Sequence, residues 1–178
     1  AETPKGPVLA PKIVLGAGRE APRLGPMVGL KVPIRPERGQ VLVTERVQPL
    51  FRIPVGSIRQ TNEGTVQLGN SKEEVGFDDA TTIDVTRRIA ARAIRSFPIL
   101  GSLRLIRTWG CIRVLTPDGA AIYDESRSHP GAFVATSHSG VTLAGINARH
   151  AARWIATGEM QDRFERFSAR RFDVQAAA

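Results

Sequence analysis

The succession of apolar runs predicts an α/β (α+β) chain, in which short strands form mixed, largely antiparallel sheet and two helices cover it. Three observations carry this. Residues 129–149, HPGAFVATSHSGVTLAGINAR, read as a strand at 132–136, a tight polar turn, and a long helix starting near Gly140. Residues 82–97 place Ile83, Ile89, Ala90, Ala93, Ile94 and Phe97 at helical spacing. Residues 53–59 and 65–68 alternate on either side of Asn62-Glu63-Gly64, a hairpin signal.

The remaining elements follow in order. Residues 1–11, AETPKGPVLAP, are Pro-rich and without helical period. Ile13 to Leu15 is a short apolar strand. Lys31 to Ile34 and Gln40 to Val43 read as two strands parted by a turn at Pro36 to Gly39. Thr81 or Thr82 supplies an N-cap for the first helix, and Pro98 stops it. Leu103 to Leu115 is a long strand with Gly110 inside it, which signals a bulge or the close approach of another group. Thr116-Pro117-Asp118-Gly119 is a turn. The second helix runs from Gly140 to Thr157 with Ala144, Ala148, Ala151, Ala152 and Ile155 as a small-residue face, and Gly158 is its C-cap.

Composition narrows the function classes. With 178 residues the chain buries a sizeable core, and 42% hydrophobic residues is ordinary for a globular protein. No apolar run approaches a membrane span, and no signal segment opens the chain. The single cysteine, Cys111, excludes an intrachain disulfide and fits a reducing, cytoplasmic setting. His129, His138 and His150 lack the spacing of a metal-ligand set. The net charge is +8, but the arginines are scattered and aromatics make up only 6%. A nucleic-acid module would instead show a basic stripe interleaved with stacking aromatics. The arginines read as solvated helix faces, or as a surface that meets an acidic partner or draws an anionic substrate.

The turn Ser137-His138-Ser139-Gly140 leaves the first amides of the following helix open to an outside acceptor, which makes it a candidate anion site. The plainer alternative is that Ser139 only caps a packing helix. A second glycine turn, Gly16-Ala17-Gly18-Arg19-Glu20-Ala21, fits the G-x-G-x-x-A form of a dinucleotide fingerprint. Pro22, Gly25 and Pro26 break the helix that a true fingerprint requires.

Taken together, WGCIRVLTPDGAAIY at 109–123 and HPGAFVATSHSGVTLA at 129–144 resemble the FAD-dependent amino-acid oxidoreductases, the D-amino-acid oxidase and glycine oxidase superfamily. In that family a W-x-G-x-R stretch leads into a T-P-D-G turn, and a P-G-x-x-x-A-x-x-H-S-G-V-T-L-A string follows. KIVLGAG at 12–18 and RGQVLVTE at 38–45 extend the likeness over nearly the whole chain. The branch most similar comprises flavin subunits of multi-subunit dehydrogenases.

The resemblance implies a parent enzyme that oxidises an amino acid or secondary amine to an imine by hydride transfer to FAD. It implies that residues 1–30 and 128–178 complete a FAD-binding domain and that residues 31–127 form a substrate-binding domain. The family's opening strand and G-x-G-x-x-G unit find no match here, so the chain is expected to be a C-terminal half, inactive alone, whose partner is the missing FAD-binding half or another subunit. Self-association through the exposed cleft is a further expectation. By resemblance, Arg113 binds the substrate carboxylate and His138 contacts flavin or substrate. Ala17, Gly18, Gly110, Ser139, Gly140, Val141, Thr142 and Leu143 lie against the cofactor. Arg19 and Glu20 stand where the family often has an aromatic, and Ala121 and Asp124 where it has Pro and Gly. The competing reading from another class is a non-catalytic basic interaction module derived from a flavoprotein.

Overall fold

The computed structural model describes residues 1–173. In chain order the elements are β1 (Ile13–Leu15), α1 (Ala21–Leu24), β2 (Arg35–Arg46), β3 (Ile58–Gln60), β4 (Thr65–Leu68), α2 (Ile83–Ser96), β5 (Leu105–Leu115), β6 (Ile122–Glu125), β7 (Ala132–Thr136), α3 (Ala144–Ile146), α4 (Ala152–Thr157) and α5 (Asp162–Glu165). A π-helical turn, Asn147–Ala151, joins α3 to α4 without a break. The fold is the expected mixture of helix with mixed and antiparallel sheet.

The chain divides into two compact units, one of Ala1–Arg35 with Val114–Ala178, the other of Pro36–Arg113. These limits differ from the 30/31 and 127/128 boundaries read from sequence. The reason is β6, which pairs antiparallel with β7 and so draws the 114–127 stretch into the first unit.

In the first unit the sheet order is β1-β7-β6. β1 runs parallel to β7, with Ile13 opposite Ala132 and Leu15 opposite Val134. One side carries Leu15, Ala21, Leu30, Val32, Ile122 and Val134. The other carries Tyr123, Phe133, Ala151, Trp154 and Phe164. There Trp154 meets Phe133 edge-on at 5.2 Å and stacks near Phe164 at 6.3 Å. The buried stripe of the second helix is therefore set by Ala151 and Trp154, whereas Ala144, Ala148 and Ala152 are exposed. The expected small-residue face is rotated because an indole, not a row of methyls, fills the space over β7. Gly158 closes α4 in the left-handed conformation at φ +82, as expected.

In the second unit the order is β3-β4-β2-β5. The hairpin forms as expected, with Ile58 opposite Leu68 and the turn closed between Thr61 and Thr65. Helix α2 lays Val85, Ile89 and Ala93 onto Leu42, Val66 and Leu68. Thr82 sits at its N-cap, but its hydroxyl makes no cap; it accepts from Gln40 Nε2 at 3.4 Å instead.

Two expectations fail at β2. There is no turn at Pro36 to Gly39, and Lys31 to Ile34 is not a strand. One twelve-residue strand runs through the supposed turn. It does so because Glu73 pairs backbone-to-backbone with Arg38, and Ser71 Oγ accepts the Gln40 amide at 2.8 Å. Arg38, 4% exposed at its side chain, donates to Glu73 and Asp78 at 2.7 Å each. Burial raises the Glu73 carboxyl, but hydrogen bonds from Arg38, Ser71 and Gln40 outweigh it and hold the group below its usual range.

Candidate functional site

Because β1 and β7 are parallel neighbours in register, their carboxyl ends open on the same edge of the first unit's sheet. The turn after β1 (Gly16-Ala17-Gly18) and the turn after β7 (Ser137 to Leu143) are thus brought to one place. The carboxyl ends of parallel strands are where open α/β sheets seat ligands. Gly18 takes φ +52, a conformation that favours glycine, and Val114 lies 3.6 Å from where its Cβ would be. Ala17 and Gly18 are half-buried.

The second turn is longer than the sequence implies. Helix α3 begins at Ala144, not Gly140, and residues 138–143 form irregular turns. Leu143 N donates to Ser139 O at 2.9 Å and Ala144 N to Val141 O at 3.2 Å. Glycine followed by β-branched Val and Thr is a poor helix start, so the chain winds through an open loop first. The amides of Gly140, Val141 and Thr142 have no acceptor within the protein among the described residues. Val141 is 94% exposed, so this stretch stands clear of the protein's own core. His138 is exposed, and its Nδ1 lies 3.3 Å from Ser139 Oγ.

Beside this turn lies a largely apolar cavity of about 430 Å³. His138, Ser139, Thr142 and Leu143 line one side, and Tyr123, Phe164 and Phe167 the other. The Tyr123 hydroxyl donates to Asn147 Oδ1 at 2.5 Å, and burial raises its pKa. Sequence reading missed Phe164 and Phe167. Their signal was present: two aromatics three residues apart in an otherwise charged tail. At the cavity rim the 116–119 turn forms as expected, with Thr116 Oγ1 donating to Asp118 Oδ1 and to Ala120 O. Arg171 grips Asp118 at 2.7 and 3.0 Å.

The other two site residues belong to the second unit and lie on opposite faces of β5. Gly110 faces the stretch that leads into α2. A side chain there would collide with the Asp79 carbonyl. The close approach foreseen at this glycine is made by the protein's own backbone, so packing accounts for it without a cofactor. If Trp109 and Arg113 anchor the W-x-G-x-R pattern, its glycine position is held by Cys111, which is exposed. Trp109, Cys111 and Arg113 alternate onto the face away from α2. Arg107 places its guanidinium 5.4 Å from the Trp109 ring.

Arg113 crosses from β5 over Gly39 on β2. Its Nη1 donates to Glu37 Oε1 at 3.0 Å and to Arg38 O at 3.3 Å. Gly39 makes room for this path, because a methyl there would overlap the guanidinium and push it aside. The side chain is 18% exposed, and Nε and Nη2 have no acceptor among the described residues. Neither Glu37 nor Gly39 was singled out by the sequence, which carries no local signal of a contact spanning some seventy residues.

Among the described residues no group of His, Cys, Asp and Glu is placed to hold a metal ion, and no helix is long and apolar enough to cross a membrane.

Comparison with known proteins gives a consistent result. The family described as "DAO: FAD dependent oxidoreductase" matches residues 2–154. An opine oxidase subunit of Agrobacterium tumefaciens (strain Ach5) is 43% identical over 170 residues, covering 96% of this chain and 46% of that protein. Hydrogen cyanide synthase subunit HcnC of Pseudomonas aeruginosa is 27% identical over 173 residues, covering 93% of this chain and 42% of that protein. Among solved structures, L-proline dehydrogenase from P. horikoshii superposes with a TM-score of 0.88 at 21% identity, over 98% of this chain and 50% of that one, a likeness of fold. The chain thus spans about half the length of the curated relatives it matches.

Proposed function

This chain belongs to the FAD-dependent oxidoreductase family, and on that premise we propose that it forms part of an enzyme oxidising an amino acid or secondary amine to an imine. Bound FAD supplies the hydride acceptor for such a reaction. The observation that carries the reading is the edge of the β1-β7-β6 sheet, where a glycine turn and a run of unpaired amides meet.

These residues fit the group. Ala17 and Gly18 let the main chain approach a flat ring closely. The amides of Gly140, Val141 and Thr142, with Ser139 and Leu143 flanking them, suit the electron-rich pyrimidine edge of an isoalloxazine. There they stabilise negative charge as an oxyanion hole does. His138 beside Ser139 adds a polar contact at the same edge.

Arg113 serves as the carboxylate anchor. Its unpaired Nε and Nη2 form a planar fork suited to two carboxylate oxygens. Holding the carboxylate fixes the α-carbon from which hydride leaves, while the nitrogen gives up its proton and the C–N bond becomes an imine. Two relatives are named as subunits, and a partner subunit is part of this proposal.

The test uses the complete flavoprotein that carries this chain. Anaerobic addition of a secondary amino acid bleaches the visible flavin band, and Arg113→Lys suppresses the bleaching while FAD stays bound. A flavin-loaded protein that no amino acid or amine reduces overturns the reading.

A further inference from the structure

The Arg113–Glu37 pair makes the site a dipole rather than a cation. Glu37 is 7% exposed, lies behind the guanidinium at 3.0 Å, and consumes Nη1. The guanidinium lies over Gly39, where the absence of a side chain leaves room for it beside Glu37. A ligand carrying a lone carboxylate meets the fork but also feels the buried carboxylate behind it. In a ligand whose carboxylate sits one carbon from a cationic nitrogen, the attraction of that nitrogen to Glu37 offsets the repulsion between Glu37 and the ligand's carboxylate, so Glu37 penalises the zwitterion less than the lone anion. Opposed charges at such separations remain strong where water is partly excluded.

We infer that Glu37 is a specificity-determining positioning residue, which acts through Arg113 to select zwitterionic amino acids over simple carboxylates. The inference rests on Arg113 as the carboxylate anchor and extends it. Glu37 touches no substrate in this role. It orients the guanidinium and cancels much of its long-range pull on other anions, the repulsive half of specificity.

The experiment follows the Arg113 Nε–Hε resonance of the ¹⁵N-labelled chain during titration with acetate and with N-methylglycine. The ratio of the two wild-type affinities is the reference. Glu37→Gln raises acetate affinity about fivefold and leaves N-methylglycine within about twofold, so the ratio moves severalfold toward acetate. Glu37→Asp keeps the charge and the wild-type ratio. Arg113→Lys weakens both ligands. A merely structural Glu37 would shift both affinities together and leave their ratio alone. A Glu37→Gln ratio matching wild type overturns the inference while Arg113 stands as anchor. No wild-type response to either ligand, or an Arg113→Lys chain that binds as wild type does, removes the anchor and the inference with it. Should Glu37→Gln fail to fold, Glu37→Ala in the same titration takes its place.

Discussion

At the edge of the β1-β7-β6 sheet, the groups turned outward are main-chain amides at Gly140, Val141 and Thr142. On the face of the β3-β4-β2-β5 sheet away from α2, the candidate anchor is a side chain, the Arg113 guanidinium, tied to Glu37. The two cores differ in the same sense. The first unit closes over interlocked aromatics at Phe133, Trp154 and Phe164, and the second over aliphatics plus a buried polar network around Arg38 and Glu73. A backbone site tolerates side-chain change if the turn keeps its path. A side-chain site depends on one residue and its counter-charge. Substitutions should therefore separate the two units sharply.

The largest effect is expected at Trp154. Trp154→Ala removes the indole between Phe133 and Phe164 and should cost about 3–5 kcal/mol of stability in the first unit. Urea unfolding read by the remaining fluorescence and by circular dichroism measures it, and a cost under about 1 kcal/mol would mean that the aromatic core repacks freely. Next comes Arg113→Lys in the complete flavoprotein. Lysine keeps the charge and loses the fork, so kcat/KM should fall by about 2–4 kcal/mol with FAD content unchanged. Kinetics equal to wild type would take Arg113 out of the site.

Val141→Asp tests the backbone site with little risk to the fold, since Val141 is 94% exposed. A carboxylate there competes for the open amides, so FAD affinity should drop by about 1 kcal/mol while thermal stability holds or rises slightly. Unchanged flavin titrations would show that these amides do not face the cofactor.

The smallest effect is a pH dependence. The Asp118 carboxyl is held at about 2, below its usual 3.8, first by the hydrogen bond from Arg171 and then by the Ala120 amide, the Arg171 charge and Thr116, against burial. A depressed carboxyl contributes stability above its unfolded pKa and loses it as pH falls through the folded one. The Asp118–Arg171 clasp should therefore weaken as pH drops from 3.8 toward about 2, modestly, because Asp118 is 42% exposed. Asp118→Asn should flatten that part of the unfolding profile; an identical slope would assign the loss to other carboxylates.

What the sequence disclosed was local. Hydrophobic spacing placed β1, the hairpin, α2 and β7, and small polar residues marked the two glycine turns. What it concealed depends on distant partners. Pro36 and Gly39 looked like a turn because Glu73 and Ser71, which hold that strand straight, lie more than thirty residues away. Gly110 looked like a cofactor contact because nothing nearby announced the Asp79 carbonyl. The late start of α3 was in principle legible, since Gly140, Val141 and Thr142 are weak helix formers, but the capping pattern at Ser139 masked it. Arg113 was recognised through a motif, whereas Glu37 required the register of β2 beside β5.

The central claim is that the β1 and β7 turns form a flavin site. Amide chemical shifts of the chain, ¹⁵N-labelled within the complete flavoprotein and recorded while FAD is added to the apoprotein, test it most directly. The account predicts shifts confined to residues 16–18 and 137–143, with β3, β4 and α2 unmoved. Shifts centred elsewhere, or none at these two turns at saturating FAD, would contradict it.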